Sequence, residues 1–127
     1  KENLKYESNI FLFMHEGLHC VKLSKSIYSI PFNWSDDKHL EMGKNFQINE
    51  FPNLYQPGLN VFNFHPIHIY LNSDKYSRYE NSKKDFNTLN IKNHINFKEG
   101  IGSMLKLLLY ELKHKNINTG LLRDLIK

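Results

Sequence analysis

Three short apolar stretches in the first half of the chain have the pattern of β-strands. Residues 10–14 are an unbroken apolar run, which is typical of a strand buried on both faces of a parallel sheet. Residues 27–32 form a second candidate, in which Pro31 indicates a strand end or an edge position. Residues 59–64 form the strongest candidate, and we expect Pro66 to stop its ladder. The pattern therefore predicts three strands of an α/β fold.

The remaining segments predict loops and two helices. Residues 34–37 follow the second strand and predict a turn or loop, and residues 72–96 predict a long polar excursion. Residues 100–115 carry apolar side chains at helical spacing and predict an amphipathic helix. Thr119 is placed to cap a last short helix that runs through Ile126.

The composition suits one globular domain. The chain has 127 residues, of which 40% are apolar and 13% aromatic, so we expect a single domain over residues 1–127 with one modest core. Because no eighteen consecutive residues are apolar, we expect no membrane-spanning helix. The formal charge is +4, but the basic residues are scattered, unlike the basic face of a nucleic-acid-binding protein. Neither a membrane nor a nucleic acid is therefore expected as a partner.

The chain has one cysteine, Cys20, so no intrachain disulfide can form. A lone cysteine fits a reducing compartment, and we expect a cytoplasmic protein. We do not expect a catalytic thiol, because the neighbouring His19 is adjacent to Cys20 only in sequence.

Two histidines, His65 and His68, are the residues best suited to chemistry. They are three positions apart across Pro66, which makes a helix unfavourable, so we expect both imidazoles at the carboxyl end of a strand. Sheets of α/β proteins place their sites at that edge, and histidine suits acid–base chemistry and metal ligation near neutral pH. Two histidines are too few for a zinc centre, which needs three protein ligands. The alternative is a pair of structural or surface histidines.

An indole and two carboxylates precede the histidine pair. Asp36 and Asp37 could orient a histidine or bind a cation, although such a pair also serves to cap a helix or a turn. Trp34 could stack on a sugar ring or could belong to the core.

In their order along the chain, these segments resemble those of polysaccharide deacetylase-like proteins from bacterial surface-polysaccharide gene clusters. Residues 29–37 read Ser-Ile-Pro-Phe-Asn-Trp-Ser-Asp-Asp and are similar to a Leu-Pro-x-x-Trp-x-Asp-Asp segment of that family. Residues 57–61 are similar to its Pro-Gly-Leu strand, and residues 64–72 contain its His-Pro-x-His and Leu-Asn motifs. The resemblance extends over about residues 9–110.

This resemblance implies a fold, a reaction and a cofactor. The fold would be the second half of a distorted (β/α)7 deacetylase-like barrel, with C-terminal helices. The reaction would be hydrolytic removal of an acetyl group from a sugar, so a carbohydrate would be the substrate. A divalent metal, most often zinc, would polarise the acetyl carbonyl and activate water.

The resemblance also implies roles for individual residues. His65 stands where the family has a late histidine that protonates the leaving amine, and His68 is the second choice for that role. An aspartate would orient the histidine. The implied catalytic residues are His65, His68, Asp36 and Asp37, and the implied substrate-binding residues are Trp34, Asn72 and Tyr76.

One part of the family pattern has no counterpart in the chain. In the family, an aspartate in the first half acts as the base, and a further Asp with a His-x-x-x-His pair holds the metal. His15 and His19 have that mutual spacing but precede the Trp-x-Asp-Asp segment too closely. We therefore expect this chain to hold no metal by itself, and to pair with a missing first half or with a second copy.

Two functions from different classes remain open at this point. The chain is either the acid-bearing half of a metal-dependent carbohydrate deacetylase, or a non-catalytic carbohydrate-binding or assembly module that kept the cleft but lost the metal site. An upstream sequence containing Asp-Asp and His-x-x-x-His motifs would favour the deacetylase.

Overall fold

The strands are short and lie in two separate small sheets. In the computed structural model, which describes residues 4–126, the strands are β1 (Tyr6–Glu7), β2 (Val21–Lys22), β3 (Tyr28–Ser29), β4 (Trp34–Ser35) and β5 (Phe62–Asn63). The first sheet has the order β1-β3-β2, with β1 parallel and β2 antiparallel to β3. In the second sheet β4 runs parallel to β5, with Trp34 opposite Phe62. Within this range, neither sheet closes into a barrel.

Helices follow both strands of the second sheet and fill the rest of the chain. The α-helices are α1 (Asp36–Glu41), α2 (Pro66–Leu71), α3 (Tyr76–Ser82) and α4 (Ile101–His114), and shorter 3-10 helices cover Ile48–Glu50, Lys83–Asp85, Leu89–His94 and Leu122–Leu125. None of the described helices is long and apolar enough to cross a membrane. Because β4 leads directly into α1 and β5 leads almost directly into α2, the carboxyl ends of two neighbouring parallel strands meet two helix starts.

The core lies where the second sheet packs against α4. Its buried residues are Trp34, Leu40, Phe51, Ile101, Met104 and Leu108. The indole of Trp34 is the centre of an aromatic cluster, with ring centroids 4.7 Å from Phe51 and 4.9 Å from Phe64. The predicted amphipathic helix is confirmed as α4, because its apolar stripe closes this core.

Two of the predicted early elements are wrong. Residues 10–14 do not form a strand buried on both faces, since Phe11 makes only a single bridge, to Phe32, and Ile10 and Met14 are exposed. The positive φ of 57° at Met14 ends the extended backbone there. Residues 34–37 are not a loop, because they contain β4 and the first turn of α1.

The later elements also differ from the prediction in detail. The third predicted strand, residues 59–64, is reduced to the two residues of β5, and Leu59 instead bridges Leu18. The polar segment 72–96 contains α3 and two 3-10 helices rather than a long excursion. The last helix is a single 3-10 turn that begins after Leu121, so Thr119 does not cap it.

Candidate active site

Asp36 and Asp37 begin α1 at the carboxyl end of β4. Carboxylates in the first turn of a helix are favoured by the unpaired N–H groups there, and the N–H of Asp37 donates to Oδ1 of Asp36 at 2.8 Å. The side chain of Asp36 is fully buried, whereas that of Asp37 is 46% exposed. The pair therefore places one carboxylate inside the protein and one at its surface.

His65 lies directly before α2, and Pro66 is the first residue of that helix. The prediction that Pro66 prevents a helix is wrong, because the first helical position needs no N–H donor and suits the fixed φ of proline. As a result, His68 lies within α2 rather than at a strand end, and its ring centroid is 6.0 Å from that of His65.

Asp36 holds His65 through two hydrogen bonds. The backbone N–H of His65 donates to Oδ2 of Asp36, and ring Nδ1 lies against Oδ1, both at 2.6 Å. Because a carboxylate only accepts, we assign the ring proton to Nδ1. Nε2 has no hydrogen-bond partner within residues 4–126, and the side chain is 40% exposed, so this nitrogen is free to meet a substrate.

The surroundings of His65 change its affinity for protons. Partial burial lowers the pKa of His65, but the hydrogen bond to Asp36 and the negative charges of Asp36 and Asp37 outweigh that effect. The net result is a pKa of His65 above the ordinary value for histidine. The imidazolium form of His65 is therefore favoured in the fold.

His68 is a buried neighbour of this pair. Its ring Nε2 lies 2.8 Å from Oδ1 of Asp37, and its Nδ1 lies 3.1 Å from Oγ of Ser73. The second oxygen of Asp37 lies 3.5 Å from Nδ1 of His65. Only 1% of His68 is exposed, and its ring contacts Asp37 and Ser73 in the interior, so His68 is less accessible to a substrate than His65.

A cleft of about 740 Å³ opens above the carboxyl ends of β4 and β5. Its walls combine aromatic, charged and amide side chains: Phe11, Phe32, Ser35, Asp37, Lys38, Leu40, Glu41, Asn63, His65 and Tyr76. The predicted residues Asp37, His65 and Tyr76 therefore share one cavity, at the sheet edge where the sequence placed the site.

Two predicted substrate-binding residues lie elsewhere. Trp34 is fully buried in the core, so its indole does not form a cleft wall, and the core alternative holds for it. Asn72 is a structural clamp: its amide donates to the carbonyl oxygens of Asn96 and Lys98, and its Oδ1 accepts the N–H of Ser103. These three bonds connect the end of α2 to the segment that leads into α4. They use both the nitrogen and the oxygen of the Asn72 side chain.

Ser73 and Asn33 support the site and were not found from the sequence. Ser73 is fully buried against His68. Buried Asn33, directly before β4, donates to Asn60 at 2.8 Å and accepts the N–H of Val61 at 3.0 Å, so it joins the starts of β4 and β5. The only sequence signal for Ser73 is its place directly after the Leu-Asn motif, and the only one for Asn33 is its place directly before Trp34 of the Trp-x-Asp-Asp motif.

Asp36, Asp37 and His65 offer three ligand atoms within 4.8 Å of one another, so their proximity alone would allow a metal ion. Their hydrogen bonding does not fit one. Zinc holds nitrogen and oxygen ligands at about 2.0–2.2 Å, so two tetrahedral ligands lie roughly 3.3 Å apart. The 2.6 Å between Nδ1 of His65 and Oδ1 of Asp36 is a hydrogen bond, and an ion there would displace its proton. With Nδ1 of His65 and Oδ1 of Asp36 in hydrogen-bond contact, the cluster has the arrangement of an oriented acid.

Two comparisons with known proteins point to the same family. Residues 1–83 match the sequence profile of the WbmS-like polysaccharide deacetylases. A crystal structure from Bordetella bronchiseptica, described as a polysaccharide deacetylase involved in O-antigen biosynthesis, is 30% identical in sequence with a TM-score of 0.73. The match covers 85% of this chain and 46% of that one, so this chain spans about half the length of the solved protein. No curated protein sequence matches significantly.

The family predicted from the Trp-x-Asp-Asp and His-Pro-x-His segments is thereby confirmed. The match extends across β4, α1, β5 and α2, the elements that carry Asp36, Asp37, His65 and His68. This chain belongs to the WbmS-like polysaccharide deacetylase family.

Proposed function

We propose that this chain supplies the proton-donating side of a carbohydrate deacetylase site. The observation that carries the proposal is the Asp36–His65 pair, whose histidine lines a cleft with aromatic and polar side chains. A histidine oriented by a buried carboxylate and open to a cavity is suited to general acid catalysis.

In the proposed reaction, a water molecule adds to the acetyl carbonyl, and the C–N bond of the tetrahedral intermediate then breaks. The departing nitrogen needs a proton, since an amide anion is a poor leaving group. His65 would donate that proton from Nε2, while Asp36 holds Nδ1 and stabilises the imidazolium beforehand. The sugar amine and acetate are the products.

The family resemblance implies a divalent metal, zinc most often, which would polarise the acetyl carbonyl and activate the attacking water. The hydrogen-bonded geometry of Asp36, Asp37 and His65 does not suit its ligands. We propose that the metal ligands and the general base of the complete enzyme are other residues, and that this chain forms part of a larger barrel. The parallel β4–β5 pair, with a helix after each strand, supports that arrangement.

The proposed substrate is an acetylated sugar of a surface polysaccharide. The description of the Bordetella protein supports that class, and the cleft has the mixture of side chains that sugars need. Tyr76 offers an aromatic face, while Lys38, Glu41 and Asn63 offer charged and amide groups for hydroxyls. We also propose a cytoplasmic location, which the single free cysteine supports.

The alternative is a carbohydrate-binding or assembly module. It is favoured by the hydrogen bond that already joins two of the three possible metal ligands, Asp36 and His65. Incubation with an N-acetylated oligosaccharide and added zinc separates the two functions. A deacetylase releases acetate and sugar amine in equal amounts, whereas a binding module retains the oligosaccharide without releasing acetate. The protein should be tested together with any sequence encoded in frame with it. Failure both to release acetate and to bind the sugar would contradict both functions.

A further inference from the structure

Ser73 is held in place between two helices by its main chain. Its N–H donates to the carbonyl oxygen of His68 at 3.0 Å, and its own carbonyl oxygen accepts the N–H of Ile101 at 2.9 Å. The residue is fully buried, and its hydroxyl lies 3.1 Å from Nδ1 of His68. The hydroxyl has no other hydrogen-bond partner in the part of the chain that the structure describes. Its direction is therefore determined by His68.

The two ring contacts of His68 define its tautomer. Nε2 faces a carboxylate oxygen of Asp37, which only accepts, so Nε2 carries a proton. If Nδ1 carried one as well, Ser73 would accept it, and the hydroxyl proton of Ser73 would be left buried without an acceptor. The arrangement that satisfies every group is a neutral His68, with Ser73 donating to Nδ1 and Nε2–H donating to Asp37.

From these two consecutive hydrogen bonds, Ser73 to His68 and His68 to Asp37, we propose that Ser73 is a positioning residue. It acts through the tautomer of His68 to hold Asp37 beside His65. This inference rests on the proposed function, because it gives the orientation of Asp37 a purpose at the deacetylase site. It involves no contact between Ser73 and the substrate.

The Asp37 side chain requires an anchor to keep its orientation beside His65. Its side chain is 46% exposed and lines the cleft, so without an anchor it would rotate into solvent. With Oδ1 bound to His68, its Oδ2 lies 3.5 Å from Nδ1 of His65. His65 then has two carboxylates on the same edge of its ring, one buried and one exposed, and its opposite nitrogen remains free.

The tautomer is measured directly by ¹⁵N NMR of the histidine rings in the 127-residue chain. At about pH 8 we expect His68 to be the Nε2–H form, because Nε2 faces Asp37 and Nδ1 faces the hydroxyl of Ser73. Ser73→Ala should lower the population of that form. Ser73→Cys should restore part of it, since a thiol is a weak donor of similar shape. An Nδ1–H form of His68 in the unaltered chain would overturn the proposal.

Ser82→Ala is the matched control. Ser82 is also fully buried and also donates from its hydroxyl, to the carbonyl oxygen of Tyr79 at 2.7 Å, but it makes no bond to His68 or Asp37. Its replacement should leave the His68 tautomer unchanged. If Ser82→Ala altered the tautomer as much as Ser73→Ala does, the effect would be general loosening of the fold, and the specific role of Ser73 would be rejected.

The link to His65 is tested by a double-mutant cycle. The charges that face His65 are those of Asp36 and Asp37, so releasing Asp37 should shift the NMR titration midpoint of His65 to lower pH. We expect Ser73→Ala and Asp37→Asn each to produce such a shift, and Ser73→Ala to add nothing in the Asp37→Asn background. Additive shifts would show that Ser73 does not act through Asp37, which would overturn the proposal.

These NMR results do not depend on turnover. If the tautomer and the coupling are as expected but no acetate is released, the deacetylase function fails while the role of Ser73 in orienting Asp37 stands. If acetate is released but Ser73→Ala changes neither the tautomer nor kcat, the positioning role fails while the function stands.

Discussion

Asp36 accepts hydrogen bonds from both the backbone N–H and the ring Nδ1 of His65, each at 2.6 Å. The first bond places the start of α2 against the start of α1, and the second fixes the plane of the imidazole. One buried carboxylate therefore serves the packing of two helices and the orientation of the proposed acid. The two roles can be separated experimentally, because stability and the His65 titration are measured independently.

We expect Asp36→Asn to destabilise the chain and to lower the pKa of His65. The amide keeps the size of the carboxylate but loses the charge that receives these bonds, and hydrogen bonds to charged groups contribute about 1.5–3 kcal/mol. Urea denaturation should show a loss of about that size, and NMR should show the His65 midpoint at lower pH. Asp85→Asn is the control, since it removes another His–Asp pair, with His94, outside the cleft. An unchanged His65 midpoint in Asp36→Asn would refute the assigned pairing.

We expect His39 and His65 to contribute to the pH dependence of the free energy of unfolding with opposite signs. Burial is the main cause that lowers the pKa of His39, so the unfolded chain takes up its proton first as the pH falls. Stability is thereby lost below about pH 6.5, the ordinary histidine pKa. For His65, whose pKa is raised, the stabilising contribution is full below pH 6.5 and disappears as the pH rises through its folded-state pKa.

The replacement His39→Phe isolates the first of these effects. His39 packs against the rings of Trp34 and Phe46, and its Nε2 has no hydrogen-bond partner among the described residues, so a phenyl ring fits the same aromatic contacts and loses only the ring's bond to the Asn45 backbone. We expect the free energy of unfolding to fall less between pH 7 and pH 5 in His39→Phe than in the unaltered chain. His114→Ala, at an exposed position on α4, should keep the original pH dependence. The same slope in all three proteins would contradict the assignment to His39.

The sequence predicted the parts of the molecule that depend on local patterns. The apolar stripe of α4 repeats over fourteen residues, which is long enough for its period to define the buried face. The strands have only two residues each, so the apolar runs overestimated their length. Pro66 was misjudged because the effect of proline depends on whether it starts a helix or lies inside one, and the end of β5 decides that.

The supporting residues of the site depend on contacts that are distant in sequence. Asp36 and His65 are 29 positions apart, and the sequence left open whether Asp36 or Asp37 orients the histidine. Asn72 was assigned to the substrate from the same motif, but its partners lie in residues 96–103, which α4 brings to it. No local pattern distinguishes an asparagine that binds a sugar from one that clamps a backbone.

We expect the chain by itself to bind zinc weakly and without fixed stoichiometry. The atoms that would ligate an ion at Asp36 and His65 are already joined by a hydrogen bond, and zinc would have to displace that proton. Isothermal titration at neutral pH checks this. A stoichiometric site of sub-micromolar affinity that is lost in Asp37→Asn would show that Asp36, Asp37 and His65 are metal ligands after all.

We also expect the chain to self-associate or to bind a partner through exposed apolar surface. Large side chains that are more than half exposed include Leu4, Tyr55, Leu89, Phe97, Leu109, Tyr110 and Leu121. Sedimentation over a range of concentrations should show association, and a hydrophobic dye should bind. Phe97→Ser, at the most exposed of these positions, should weaken association without loss of stability. A monomer at all concentrations that binds no dye would be evidence against this expectation.

We expect replacements of His65 and His68 to affect turnover to different extents. In the complete enzyme, His65→Ala should lower turnover roughly 10²- to 10⁴-fold, the usual contribution of general acid–base catalysis. Metal content should stay nearly unchanged, because the Asp36–His65 geometry is not that of a metal centre. His68→Ala should cost less in turnover but more in stability, because its ring is buried against Asp37 and Ser73.

The pH profile adds a second measurement on the same proteins. A general acid must be protonated before the amine leaves, so activity should fall as the pH rises through the raised pKa of His65. That descending limb should be absent from the residual activity of His65→Ala and retained in the surface control His114→Ala. Metal loss in His65→Ala would identify His65 as a ligand, and full activity in that variant would remove it from the mechanism. Because Asp36 and Asp37 both raise the pKa of His65, the same limb should move to lower pH when either carboxylate is replaced by its amide.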